Sequence, residues 1–326
     1  MLIVQKFGGS SLADAQRLRR AAMLCLEARR RGCAPVLVVS AAGDSTDELL
    51  AMARSFSPDP PARELDALLS TGEQQSAALM AILLSSLGAP ARSFTGWQAG
   101  VHTDETHGRA AIRLLAPGRL TEALARGEIP VVAGFQGLSP AGDVSTLGRG
   151  GSDTTTVALA AALDAARCEI YTDVDGIYTA DPRLVPGARL LPVLDFRDML
   201  RLAQAGSQVL HPDSVALAMA GDVELHLLSS FRPGPGSLLR ALPEEERPAF
   251  AGVTRDEARG TVSAVGKAAG EDALAALLQL LADAGIPVED AVCREGRVDF
   301  KVAPAQLLPA LRLLHSALFS EDTGLD

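Results

Sequence analysis

No run of this 326-residue chain reaches the roughly 18 apolar residues that would read as a membrane span. The longest apolar stretches, near 76–87 and 156–166, have the length of buried helices. The chain opens MLIVQKFGGSS, with no basic segment ahead of an apolar one, so no secretory leader is read there and the expected address is the cytoplasm. Cysteine is scarce: Cys25, Cys33, Cys168 and Cys293 lie far apart and form no C-x-x-C pair. That spacing argues against a disulfide framework or a thiolate metal site, and for small buried apolar residues in a reducing compartment. Positive charge is in deficit, 30 Lys and Arg against 40 Asp and Glu, a net charge of −10. Neither a nucleic-acid backbone nor an anionic bilayer attracts such a chain, so neither is an expected partner. A local basic cluster can still hold a small anion.

What is present is ample apolar material, 48% of residues, and a length that suggests about two domains. Short apolar runs alternate with helical periodicity. Leu2 to Phe7 reads as a strand, Asp14 to Arg31 as a helix, and the valine-rich Pro35 to Val39 as a strand buried on both faces. Helices are expected at 62–70 and 73–87, a strand at Ile129 to Ala133, and a Gly-rich loop at 134–151. A helix at 153–165, a strand at Glu169 to Thr172, a helix near 195–206 and a strand at Val223 to Ser229 complete the series. This β-α-β alternation predicts an α/β fold whose mainly parallel sheet is sandwiched by helices. The stretch 232–248, RPGPGSLLRALPEEERP, reads as a linker. Beyond it, strands at 250–254, 261–266, 287–293 and 297–303, with helices at 271–285 and 304–318, suggest a small α+β ferredoxin-like domain. The expected domains are therefore 1–240 and 248–326.

Four segments carry chemistry. In KFGGSS, Lys6 to Ser11, a strand end precedes a helix; Gly8 and Gly9 let backbone amides approach a phosphate, and Lys6 supplies a point charge. The segment lacks the P-loop spacing, and a plain strand-to-helix turn with a solvent lysine is the competing reading. In LGRGGSDTTT, Gly148, Gly150 and Gly151 flank Arg149, a residue suited to bidentate contact with carboxylate or phosphate. Ser152 or Asp153 is expected to cap the helix that follows. In YTDVDGIYTADPR a strand ends at Thr172 and Asp173, where ligands of open α/β sheets bind. The aspartates at 173, 175 and 181 miss the spacing of a calcium loop. In STGEQQSA, Glu73 is expected at a helix start, either serving the dipole there or receiving a substrate ammonium. His102 and His107 in HTDETH read as a surface loop, and Trp97 with Phe94 as packing.

Taken in order, these segments resemble aspartate kinase, of the amino-acid kinase family. The match is carried by KFGGSS (6–11), SAAGDSTDELL (40–50), PPARELDALLSTGEQ (60–74), SFTGWQAGVHT (93–103), VVAGFQG (131–137), TLGRGGSDTT (146–155), CEIYTDVDGIYTADPR (168–183) and VLHP (209–212). The resemblance implies transfer of the ATP γ-phosphoryl group to the β-carboxylate of L-aspartate, with Mg2+ carried by ATP and no protein metal site. By motif, Lys6 would stabilise the transferring phosphoryl group and Asp153 would orient it. Gly8, Gly9 and Ser10 would contact phosphate, with Gly150 and Gly151 in a second phosphate loop. Glu73 and Arg149 would bind the ammonium and α-carboxylate of aspartate, with Ser40, Thr46 and Ser152 beside them. Thr172, Asp173, Tyr178, Asp181, Arg183 and Gln208 match the nucleotide region. A carboxylate with a free pKa near ~3.9 is already ionised at neutral pH, so the reaction needs charge neutralisation and alignment and no general base.

Three departures stand out. Gln208 replaces a lysine found in many members. The tail resembles one ACT module where two are usual. GKAAGE at 266–271 replaces the family's effector-loop pattern. The tail is therefore expected to support homo-oligomeric assembly, with weak or absent lysine sensitivity. The rival readings are a related kinase of other specificity and a non-catalytic paralogue acting as an amino-acid-binding or regulatory subunit.

Overall fold

The computed structural model describes residues 1–319 and divides into two compact units, 1–175 with 220–235, and 176–219 with 236–319. The first unit contains strands β1 (Leu2–Phe7), β2 (Ala34–Val39), β3 (Ala91–Phe94), β4 (Val101–Thr103), β5 (Ile112–Leu115), β6 (Ile129–Ala133), β7 (Gln136–Leu138), β8 (Val144–Thr146) and β9 (Arg167–Thr172). Its helices are α1 (Ala15–Arg30), α2 (Ser45–Phe56), α3 (Ala62–Ser86), α4 (Gly118–Ala125) and α5 (Gly151–Ala162). The second unit holds β10 (Val193–Asp195), α6 (Phe196–Gln204) and most of α7 (Pro212–Ala220); β11 (Leu225–Ser229) returns to the first. The rest of the second unit is β12 (Ser237–Arg240), β13 (Gly252–Asp256), β14 (Thr261–Val265), α8 (Glu271–Asp283), β15 (Val288–Arg294), β16 (Arg297–Val302) and α9 (Leu307–Phe319).

In the first unit the strands run in the order β11-β9-β1-β2-β6-β3, every neighbouring pair parallel. Side chains alternate along a strand. Phe7, Leu37, Val39, Val131 and Ala133 therefore share one face, packed with Ala21, Ala22 and Cys25 of α1 and Ala77, Met80, Ala81 and Leu84 of α3. Helix α5 packs against β1, β2 and β9. Burial of both faces explains the unbroken apolar run of β2.

Several expectations are corrected. The segment Ala62–Ser86 is one helix, where two, 62–70 and 73–87, were expected. A Cβ at Gly72 would lie 2.8 Å from Ala41 Cβ, so this glycine serves close packing. The stretch 134–151 is not all loop, since β7 and β8 join β4 and β5 in a second sheet of order β5-β4-β7-β8. Strands of three residues are too short to show alternation. The stretch 232–248 carries β12, which pairs parallel with β10, so it is not merely a linker. Helices α2, α4 and α7 were not foreseen. Of the cysteines, Cys25 and Cys168 are buried, but Cys33 and Cys293 are only half-buried.

The four-stranded antiparallel sheet of the second unit has the order β13-β14-β16-β15. Val262, Ala264, Val298 and Phe300 pack with Leu277 and Leu281 of α8 and Leu307, Leu311 and Leu314 of α9. Among the described residues, no helix is long and apolar enough to cross a membrane.

Candidate active site

Lys6 is the only charged residue of β1. Strand alternation turns it away from Phe7 and the α1–α3 side, and its Nζ lies 2.7 Å from Asp153 Oδ1 of α5. Both side chains are largely buried. Withdrawing such a pair from water is costly and gives little net stability, so fold stability is a poor reason for its presence. Asp153 stands in the first turn of α5, where the helix dipole favours a carboxylate. The expected cap is corrected: Gly150, at φ 74°, occupies the N-cap, and neither Ser152 nor Asp153 caps the helix.

The glycine turn follows β1 directly. A Cβ on Gly8 would lie 3.4 Å from Lys6 Nζ, so the turn passes beside the ammonium. A Cβ on Gly9 would meet the Ala41 carbonyl oxygen at 2.8 Å. The turn and the 40–44 loop are thus in backbone contact, and Gly43 N donates to Gly9 O at 3.0 Å. Ser10 lies in one tight turn, Gly9–Ser11. Ser40 follows β2, its N donating to Phe7 O at 3.1 Å, and Thr46 stands in the first turn of α2.

Glu73 lies in the middle of α3, not at a helix start, so the helix dipole does not account for it. Its Oε1 accepts from Ala41 N at 3.0 Å, and its Oε2 is buried without a partner. Burial pushes its carboxyl up to about 7. Ala41 is held between Gly9 and Glu73, which places the glycine turn and this carboxylate on either side of one loop.

Arg149 is exposed. Gly148 and Gly150, at φ 75° and 74°, occupy the left-handed region that favours glycine. A Cβ on Gly151 would lie 2.9 Å from Leu147 Cβ and Phe135 Cδ2. Ser152 is buried against Gly134, where a Cβ would approach Ser152 Oγ to 2.9 Å. Thr172 ends β9 beside the glycine turn and Asp173 follows it: Gly8 N donates to Tyr171 O at 3.4 Å, and Thr172 Oγ1 donates to Asp173 Oδ1 at 3.1 Å. The structure thus gathers Lys6, Gly8, Gly9, Ser40, Glu73, Ser152, Asp153, Thr172 and Asp173 around the carboxyl ends of the parallel strands, where open α/β sheets bind ligands.

Tyr178, Asp181, Arg183 and Gln208 lie in the second unit. Asp181 accepts from Arg183 N, Nε and Nη2, and hydrogen bonding to Arg183 holds its carboxyl below the usual range. Tyr178 bridges to Leu190, and Gln208 is exposed.

The sequence reading missed a buried carboxylate, Asp66, which joins α3 to His107, Gly108 and Thr146. His102 and His107 are corrected accordingly: the first lies in β4, and the second has Nδ1 2.8 Å from Asp66 Oδ2. Asp66 is seven residues before Glu73, two helical turns, so only a continuous α3 reveals that they share a face.

An ammonium beside glycine amides suits a phosphate-bearing ligand, and an under-partnered buried carboxylate suits a cation. Among the described residues no three His, Cys, Asp or Glu side chains are grouped as metal ligands.

Comparison with known proteins agrees with the resemblance. The model of the amino acid kinase family matches residues 1–229. The aspartokinase of Mycolicibacterium smegmatis is 53% identical over 269 residues, 81% of this chain and 64% of that protein. The aspartokinase of Corynebacterium glutamicum is 50% identical over 292 residues, 88% of this chain and 69% of that one. The crystal structure of E. coli aspartokinase III with aspartate and ADP superposes with a TM-score of 0.72 at 26% identity, covering 98% of this chain and 84% of that chain. The chain therefore spans about two thirds of the length of the aspartokinases it matches in sequence.

Proposed function

This chain belongs to the amino acid kinase family, and within it to the aspartokinases, and from that premise we propose that it transfers the γ-phosphoryl group of ATP to the β-carboxylate of L-aspartate, giving 4-phospho-L-aspartate. The observation that carries the reading is the arrangement in the first unit. The Lys6–Asp153 pair lies beside Gly8, and Glu73, one oxygen free of partners, lies across the Ala41 loop.

Both reactants are anions, and the nucleophile is already ionised, so the protein's task is electrostatic and positional. The Lys6 ammonium would meet the charge of the transferring phosphoryl group, and Asp153 would hold that ammonium in line. Backbone amides of the Gly8–Ser10 turn would receive phosphate oxygens. Glu73, once ionised, would take the ammonium of aspartate, and Arg149 its α-carboxylate by a two-pronged contact. Ser40, Thr46 and Ser152 would complete the amino-acid side, and Thr172 and Asp173 the nucleotide side. Magnesium, held on the nucleotide's phosphates, would supply further charge neutralisation. The tail from 248 to 326 is read as a single ACT-like module that supports assembly of copies of the chain.

An ATP-dependent hydroxamate assay tests the reading. Hydroxylamine traps an acyl phosphate, so colour should require both ATP and L-aspartate and should be absent with another carboxylate acceptor such as glutamate. Colour with another acceptor and none with aspartate would replace this reading with a different kinase of the same fold.

A further inference from the structure

Helix α3 carries an unusual buried face. Asp66, Ser70 and Glu73 recur at the spacing that aligns side chains along one side of a helix, and all three are buried, Asp66 to 1% exposure. An interior helix face is ordinarily apolar, and a buried carboxylate that serves structure alone is ordinarily hydrogen-bonded on both oxygens. Asp66 meets that condition. Its Oδ1 accepts from Thr146 Oγ1 at 2.5 Å and Gly108 N at 3.1 Å; its Oδ2 accepts from Gly108 N at 3.0 Å and lies 2.8 Å from His107 Nδ1. With both oxygens occupied, Asp66 has no capacity left for a substrate.

Its partners lead to Arg149. Thr146 ends β8, and the next residues are the Leu147–Gly151 turn that bears Arg149. Ala110 N donates to Thr146 O at 2.8 Å. Gly108 O stands so near Gly148 that a Cβ there would approach it to 3.1 Å. The 107–110 segment is therefore pinned to the same turn at two points, and Asp66 pins both the segment and the turn to α3. One helix holds Glu73 and anchors, two turns earlier, the loop that presents Arg149.

We propose that Asp66 is the positioning residue for Arg149, setting the distance between the carboxylate that takes the substrate's ammonium and the guanidinium that takes its carboxylate. The inference rests on the aspartate reading above for its consequence in catalysis, but not for its structural part. Asp66 acts through Thr146 Oγ1, the His107 ring and Gly108 N, and touches neither reactant. Replacing it should loosen ground-state binding of the amino acid more than turnover, because the reacting groups remain ordered by Lys6 and Asp153.

The test compares Asp66→Asn, Thr146→Val and Thr146→Ser with the unaltered chain. The asparagine removes the charge and replaces one acceptor oxygen by a donor, so Thr146 Oγ1 and Gly108 N compete for the one oxygen that remains. Asp66→Asn and Thr146→Val should raise KM for aspartate about tenfold or more, with a much smaller change in kcat and in KM for ATP. Thr146→Ser, which keeps the hydroxyl, should restore KM. In the same variants, hydrogen exchange at the amides of 146–151 should speed up, while that of β1 and β2 stays slow. An unchanged aspartate KM and unchanged exchange at 146–151 in a folded Asp66→Asn or Thr146→Val protein would overturn the proposal. So would equal losses for aspartate and ATP. If the unaltered chain uses no aspartate, the substrate reading fails by itself, and the exchange result alone decides whether Asp66 sets the Arg149 turn.

Discussion

Two side chains concentrate the chemistry, and each has an outcome that can be measured. Removing Lys6 deletes the one ammonium beside the glycine turn, and Lys6→Ala should lower kcat by roughly 10²–10³-fold, the scale of losing one aligned electrostatic donor. Steady-state kinetics in a variant of unchanged fold checks this, and near-normal turnover would remove Lys6 from the mechanism. Glu73 has a carboxyl raised from an ordinary 4.5 to about 7 by burial. The folded protein holds that proton more tightly than the unfolded chain, so Glu73 makes stability fall as pH rises between these values. Glu73→Gln keeps an acceptor for Ala41 N and removes the buried charge. It should melt a few degrees higher than the parent at pH 8, with the gain shrinking at pH 5, and its loss of aspartate affinity should be larger at pH 8, where the parent's Glu73 is ionised, than at pH 5. Melting curves at the two pH values with parallel KM measurements decide it; a gain that is the same at both would mean that ionisation of Glu73 is not what the variant removes.

At the scale of elements, α3 shows how local preference yields to packing. Alanine is favoured over glycine inside a helix by about 1 kcal/mol, so Gly72→Ala should stabilise an isolated α3. In this fold the new Cβ would sit 2.8 Å from Ala41 Cβ, and Ala41 has little room to yield because Gly9 and Glu73 hold it. Overpacking of this kind costs about 1–3 kcal/mol, which outweighs the propensity gain. Urea denaturation should therefore find Gly72→Ala less stable than the parent, and the displaced 40–44 loop should raise KM for aspartate. A more stable variant would show that the loop gives way freely. The segment was expected as two helices, 62–70 and 73–87, and only the neighbour across the fold shows that the glycine between them serves a close approach within one helix.

At the scale of the whole molecule, the chain is threaded through its two units, and the second is assembled from separated segments. A buried ion pair ties those segments together. Arg247 Nη2 lies 2.5 Å from Asp198 Oδ1, its Nε donates to Asp198 Oδ2 at 3.1 Å, and Asp198 is fully buried. Removing one partner of such a pair strands the other charge, at a cost of about 3–5 kcal/mol. Arg247→Ala should destabilise the second unit by that order, and pairing it with Asp198→Leu should recover part of the loss. Denaturation followed by hydrogen exchange across 250–319 reads this out; a loss below about 1 kcal/mol would mean that water reaches Asp198 once the arginine is gone.

The sequence by itself determined the βα alternation, the parallel sheet, the α+β character of the tail and the motif residues at the strand ends. These follow from local periodicity, turn chemistry and short motifs that neighbouring residues carry together. Only the tertiary structure decided that Lys6 meets Asp153, that Glu73 keeps an unpartnered oxygen in mid-helix, and that Asp66 gathers His107, Gly108 and Thr146. Each of those depends on residues 32 to 147 positions apart, and a burial-driven shift or a hydrogen bond between them has no local signature, since it exists only after the sheet has brought them together.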